Sequence, residues 1–442
     1  MKILAPDIKQ AVESKIDIFG RDAFGDGLLR VFERSDDPLV VALDEPWGSG
    51  KTVFAKRLAR RAREGGFKVV YFDAFKRDYD PDVFVSLAAQ TLEDAGIKPK
   101  EKKVLKSKAK DVAKIIGRVA IKGAVRGLSA GMVRASDFSE ANEEIASEAG
   151  DIVEAEIDKL IDTRLAGAKA DEDVLESFRQ SLSDFSDTSE DGKPLIFIVD
   201  ELDRCKPSYS LGVLETIKHI FSVKNVHFLL ICQMDQLVAS TKKMYGNEID
   251  GNMYLEKFIH FRVNFPHLER RAGEQTIKKF TENVLKVMPD DDEGGRLKDG
   301  FSEFSGYLWS TKKYSLRRIE RICTLFGLCM AFTNKNTLRL PAIVHLLCDL
   351  KISSPLLFRK AKDGSLKYGE VEAWYGFSEA PEDRNHDLDW YANNWRYFLS
   401  TEEELSSFDT NGFRSHLFNY NISRENVVRI IANKIVDRFE FP

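Results

Sequence analysis

LDEPWGSGKT, residues 43–52, is the stretch on which the fold turns. Gly50, Lys51 and Thr52 close the pattern G-x-x-x-x-G-K-[ST], a loop whose backbone N–H groups cradle phosphate, but its opening glycine is here Glu45. A bare G-K-T is common by chance, so the flanks decide. Upstream, PLVVALDE (38–45) is a short apolar, β-branched run of the kind a buried parallel strand requires. Downstream, TVFAKRLARRARE (52–64) puts Phe54, Leu58 and Ala62 on one helical face, and Gly65-Gly66 ends the helix. Strand, glycine turn, Lys-Thr and helix follow in the order a phosphate site needs. Loop amides and the helix N-terminus hold the phosphates, Lys51 reaches the β- and γ-phosphates, and Thr52 ligates Mg²⁺. Glu45-Pro46 is stiffer than glycine, and a carboxylate repels triphosphate. Gly48 and Gly50 still permit close backbone approach, so nucleotide binding is expected to survive if Glu45 turns away from the phosphates.

A second motif raises the weight of the first. PLIFIVDELDRC (194–205) is an apolar run ending in Asp200-Glu201. An aspartate at the C-terminal edge of such a strand holds the hydration shell of Mg²⁺, and the adjacent glutamate polarises an attacking water. Two half-specific motifs in the right order predict a P-loop NTPase. The expected fold is α/β: a mostly parallel sheet with helices on both faces, a helical insertion between the two motifs, a helical lid and a small C-terminal region. Further strands are expected at FKVVYFDAF (67–75), NVHFLLICQ (225–233) and KFIHFRVNF (257–265).

The bulk composition narrows the class. A net charge of −5 gives the whole chain no nucleic-acid footprint. Cys205, Cys232, Cys323, Cys329 and Cys348 show neither metal-ligand spacing nor a pairing pattern, which predicts reduced, mostly buried thiols in a cytoplasmic protein. MKILAPDIKQ lacks the apolar core of a signal peptide, and no window offers a run of apolar residues long enough for a standard transmembrane helix.

Several stretches together resemble the KAP family of P-loop NTPases. IFGRDAF (18–24) is similar to the family's N-terminal G-R segment and PWGSGKT (46–52) to its W-G-S-G-K-S/T loop. YFDAFKRDYDPDVFVSL (71–87) resembles its second strand and aromatic turn, and VDELDRC (199–205) its D-x-L-D-R-C signature. MYLEKFIHFRVNFP (253–266) looks like its Y-L-E-K-x-I strand, and SLRRIER (315–321) like its N-P-R-R-x-x-R helix. The resemblance covers about 17–325, with gaps; Glu45, Asp73 and Ser315-Leu316 depart from it. It implies ATP and Mg²⁺ as ligands, with Arg21 and the run Trp47, Gly48, Ser49, Gly50, Lys51, Thr52 and Val53 binding nucleotide. Thr52 and Asp200 hold the metal and Glu201 activates water. Gln233 orients the lytic water or is a solvated loop residue. Arg317 is a lid sensor of transferred phosphoryl charge or part of a basic face with Arg318 and Arg321. Arg204 is an arginine finger or a structural ion pair with Asp203, and Trp47 packs or carries the base. Relatives of this kind couple hydrolysis to conformational change or assembly. Oligomers are common among them, and a prokaryotic member fits defence against phage or plasmids.

The expected organisation is a nucleotide-binding core in two parts, 1–96 and 191–266, around an insertion at 97–190, with a lid at 267–350 and an accessory region at 351–442. In the insertion Lys106, Lys110, Lys114, Arg118, Lys122 and Arg126 recur every four residues along one helical face. Three readings stay open for this basic helix, 102–126: an antiparallel hairpin with the acidic segment 140–162, peripheral contact with an anionic membrane through 104–128, and contact with nucleic acid. Charges within 115–133 disfavour a membrane span. PDDDEGG (289–295) reads as a loop. The aromatic-rich 351–442, with Trp374, Trp390 and Trp395, is expected to form a small core of its own or an interface.

Overall fold

The computed structural model describes residues 8–14, 16–80, 82–94, 99–129, 170–187, 192–285, 294–333, 340–377, 386–406 and 422–440. Among them are five strands: β1 (Val40–Asp44), β2 (Lys68–Asp73), β3 (Leu195–Asp200), β4 (Val226–Cys232) and β5 (Phe261–Val263). They form one sheet in the order β2-β3-β4-β1-β5, every pair parallel. β3 and β4 are buried at every position, which is why, apart from His227 in β4 and Asp200 at the end of β3, their sequences are apolar runs with no polar alternation.

The pleat divides these side chains between two cores. Phe197, Val199, Phe228 and Leu230 face one, while Ile196, Ile198, Leu229 and Ile231 face the other. The first face is covered by Val83–Asp94, Pro99–Ser129, 170–187 and Pro207–Thr216, which contribute among others Phe84, Leu105, Val112, Phe178 and Val213. The ends of the insertion thus pack on the sheet, with Lys102, Lys103, Lys106, Lys110 and Lys114 exposed outside. The side chains beyond residue 116 of that helix, and the acidic segment 140–162, lie outside the described residues. The second face is covered by Asp22–Glu33, through Leu28 and Phe32, and by Lys51–Glu64, through Phe54, Leu58 and Ala62. Arg57 with Asp22 at 2.8 Å and Arg61 with Asp26 at 2.7 Å join these two helices.

Parallel strands end on a common edge. Asp44 stands in register with Cys232, and Asp200 with Ile231, so the turns after β1 and β3 leave the sheet on the same side with β4 between them. Open α/β sheets bind ligands at that edge. Here it is tied by carboxylates: Asp44 Oδ1 accepts the Met234 N–H at 2.9 Å and Asp203 Oδ2 accepts the Gln233 N–H at 3.1 Å, at the start of the helix Met234–Tyr245. The strand expected over 257–265 shortens to Phe261–Val263. Its upstream half is diverted because Asp250 caps a short helix, Gly251–Leu255, by accepting the Asn252 and Met253 N–H groups.

The chain divides into two compact units: Asp22–Pro46 with Phe54–Phe265, and Met1–Arg21 with Trp47–Val53 and Pro266–Pro442. The second is helical, and its core is one cluster running from Ile277 through Phe304, Phe326 and Leu346 to Trp395, Ile431 and Val436. The aromatic C-terminal region therefore does not form a small core of its own. Its rings complete the core begun by 267–350: Trp395 meets Phe304 at 5.3 Å and donates its indole N–H to the Ala342 carbonyl at 2.9 Å. Gly294 and Gly295, expected in a loop, already open the helix Gly294–Lys312, and the rest of that loop lies outside the described residues. All five cysteines are buried and none is in a disulfide. Among the described residues no helix is long and apolar enough to cross a membrane.

Asp44→Ala removes the side-chain acceptor of the Met234 amide. The expected loss is about 1 kcal/mol, read as a lower urea midpoint at unchanged slope and unchanged circular dichroism.

Candidate nucleotide site

β1 runs directly into the loop. Gly48 (φ 85°) and Gly50 (φ 90°) are both left-handed, where only glycine is free of strain. Space imposes the same choice: a Cβ on Gly48 would lie 2.9 Å from Arg317 Cβ and 3.1 Å from Ser315 Oγ, and one on Gly50 would lie 3.2 Å from Arg21 Nη1. Arg21 donates Nη1–H to the Ser49 carbonyl at 2.8 Å, its guanidinium 4.7 Å from the Phe19 ring centroid. The Ser49 hydroxyl is buried without a partner, and Lys51 is only 9% exposed. Thr52 and Val53 are half-buried in the first turn of Lys51–Glu64. Trp47 is 45% exposed. A buried lysine, an orphan hydroxyl and two left-handed glycines at a helix start fit a phosphate group.

Facing the loop's glycines is the start of the helix Leu316–Phe332. Ser315 caps it, its Oγ accepting the Arg318 N–H at 3.3 Å, and the Arg317 N–H points to the Gly48 carbonyl at 3.4 Å. The Arg317 side chain is exposed and lies in the field of Glu320, whose carboxyl is pushed up by burial and held down by that arginine.

The edge after β3 holds the acids. Asp200 is 1% exposed; its Oδ1 accepts the Glu201 N–H at 2.8 Å and its Oδ2 accepts the Tyr71 hydroxyl. Glu201 is pulled into left-handed backbone at φ 58°. Burial raises its carboxyl above the usual range, Arg204 opposes the rise, and Asp200, Asp73 and Asp203 add to it. Arg204 Nη1 stands 2.8 Å from Glu201 Oε1. The ion pair expected between Arg204 and Asp203 is therefore made with Glu201, three residues back on one short turn, while Asp203 is turned to Gln233. Gln233 is fixed by its backbone and half-buried. Tyr71 has no motif of its own. Its signal was the strand period: Asp73 registers with Asp200, and Tyr71, two residues earlier, shares that face.

Glu45 has turned to the segment just after β5. Its Oε1 accepts the Phe265 N–H at 2.7 Å, and its own N–H donates to the Cys232 carbonyl at 3.1 Å.

A parallel five-stranded sheet, a glycine loop opening a helix after β1 and a buried aspartate followed by a half-buried glutamate after β3 define a P-loop NTPase. Within that class the chain belongs to the KAP family, whose P-loop domain matches residues 24–334. Over 167 residues it is 24% identical to an uncharacterized protein of Methanocaldococcus jannaschii, covering 36% of this chain and 86% of that one. Among solved structures it is similar to the Aeropyrum pernix ORC2 protein in its ADPNP–ADP complexes, with 11% identity, a TM-score of 0.39 and coverage of 88% and 89% of the two chains. A DNA replication initiation factor gives 11% identity, a TM-score of 0.33 and 98% coverage of each.

Glu45→Ala removes the acceptor of the Phe265 amide and is expected to cost about 1–2 kcal/mol, whereas Glu45→Gln keeps an oxygen acceptor and loses less than half of that. Urea denaturation of both variants checks the order, and equal losses would show that the charge and not the bond matters.

Proposed function

We propose that the chain is a Mg²⁺-dependent ATPase that couples nucleotide binding and hydrolysis to conformational change or assembly. The observation that carries the proposal is the loop, where a buried lysine and an unpartnered serine hydroxyl sit among left-handed glycines at the start of a helix. The backbone from Trp47 to Val53, with Lys51, would hold the phosphates, and Arg21 would brace the loop through Ser49. Thr52 and Asp200 would hold Mg²⁺, which when bound neutralises phosphate charge. Glu201 would accept a proton from water, Gln233 would orient that water, and Arg317 would answer the charge of the transferred group. ATP is preferred to GTP because no N-K-x-D guanine motif occurs and because of the family. Homo-oligomers and anti-phage or anti-plasmid defence are the setting the family suggests, and rest on it alone.

One observation favours a second reading, a nucleotide-gated scaffold with little turnover. Glu201 is held by Arg204 at 2.8 Å, so the group meant to accept a proton is already engaged in an ion pair.

ATP binding and phosphate release with Mg²⁺ separate the two. The native chain should bind and hydrolyse, Lys51→Ala should lose binding, and Glu201→Gln should keep binding while turnover falls at least about 100-fold. Binding without turnover in the native chain would select the scaffold, and no binding in any variant would remove both readings.

Glu201 must be ionised to accept a proton, so the rate should fall as pH drops through its raised pKa, earlier than for an ordinary carboxylate. Arg204 holds that pKa down, so Arg204→Ala should move the acid limb of the pH–rate profile to higher pH. An acid limb that does not move would mean that Glu201 is not the base.

A further inference from the structure

The Tyr71 hydroxyl makes a contact at the edge after β3 that the proposed chemistry does not use. Tyr71 lies on β2, an edge strand, in register with Ile198 and two residues before Asp73, which registers with Asp200. The fold fixes this residue independently of the acid. Its N–H donates to Asp94 Oδ2 at 3.1 Å, and its ring packs against the core shared with the helix Lys51–Glu64. Lys56 Nζ of that helix lies 5.7 Å from the ring centroid. Asp200 stands differently. It is the last residue of β3, and the chain beyond it turns at once into left-handed backbone at Glu201. Its carboxylate accepts the Glu201 N–H at Oδ1, at 2.8 Å, and the Tyr71 hydroxyl at Oδ2. Of these two donors the amide belongs to the strained turn, whereas the phenol belongs to the sheet. A phenylalanine would fill the same space on β2, but only a hydroxyl reaches the acid.

We infer that Tyr71 is a positioning residue for the proposed metal aspartate: its hydroxyl, held by β2, fixes Asp200 Oδ2, and Asp200 Oδ1 in turn holds the Glu201 amide. One phenol thereby orients both the carboxylate that would hold Mg²⁺ and the turn that carries the proton acceptor. Each link is a direct hydrogen bond. A carboxylate set in place before the ion arrives needs no further ordering when it binds. Losing such an outer partner costs metal affinity about 10–100-fold in metal sites generally. This inference rests on Asp200 being the Mg²⁺ residue of the function proposed above.

The test is Tyr71→Phe beside Tyr254→Phe, which gives up hydroxyl contacts to Tyr245 at 3.0 Å and Glu215 at 3.4 Å and none to Asp200. The Mg²⁺ concentration that half-saturates ATP binding should rise about tenfold in Tyr71→Phe, and binding should return to the native level at saturating Mg²⁺. Tyr254→Phe should shift neither. In an Asp200→Asn background Tyr71→Phe should add no further shift, because it acts through that carboxylate. With neither metal nor nucleotide present, amide hydrogen exchange at Glu201 should be faster in Tyr71→Phe alone. If the native chain binds no ATP, or binds it without regard to Mg²⁺, faster exchange in that variant alone would keep the positioning role and fail the proposed function. Unchanged exchange at Glu201, equal effects of the two variants, or a Mg²⁺ requirement that does not move in a chain that has one would overturn the inference.

Discussion

The complete burial of β3 and β4 is the constraint on which the site depends. Strands covered on both faces have nowhere to place a polar side chain except at their ends, so chemistry is pushed to Asp200 and the turn after it. Asp200 pays for its position through partners. An unpaired carboxylate at 1% exposure would cost several kcal/mol, and the Glu201 N–H and the Tyr71 hydroxyl remove that penalty. Folding the Glu201 amide back onto Asp200 is what drives Glu201 into left-handed backbone, a strain of about 1–2 kcal/mol. The solvation term is the larger, so the strained turn is the stable one.

Much of this was legible in the residues because it is local. Buried strands announce themselves as apolar runs, the loop by Gly50-Lys51-Thr52, and the helix after it by Phe54, Leu58 and Ala62, all three buried as their spacing predicts. What was not legible depends on partners distant in the chain. The acceptor role of Glu45 requires an amide 220 residues away, and the Tyr71 contact with Asp200 spans 129. Neither can be read before the strand order is known. The tryptophans of 351–442 were visible as a cluster, but hydrophobicity carries no address. That Trp395 completes the core around Phe304, and does not build another, is set by helix packing.

Glu45 shows how a departure from a motif can be absorbed. The glycine it replaces permits a tight turn, and here the chain instead continues β1 by one more bond, Glu45 N–H to the Cys232 carbonyl, before the carboxylate crosses to Phe265. Two hydrogen bonds of about 1 kcal/mol each offset the lost freedom. The freedom the loop still needs is concentrated at Gly48 and Gly50, both left-handed and both closely approached.

The arginines then divide by their surroundings. Arg204 is committed: it sits 2.8 Å from Glu201, and without it Asp200, Asp73 and Asp203 would raise that carboxyl further. Using Arg204 on a phosphate would take from Glu201 its ion-pair partner while Asp200, Asp73 and Asp203 stay close by, a repulsion that grows as water is excluded. Arg317 is placed differently. Its backbone is fixed at the loop, its side chain is exposed, and its nearby acid, Glu320, is disfavoured as an anion by burial, which lowers the cost of turning the guanidinium elsewhere. In the proposed ATPase the arginine that answers phosphoryl charge is therefore Arg317, while Arg204 governs the proton affinity of Glu201.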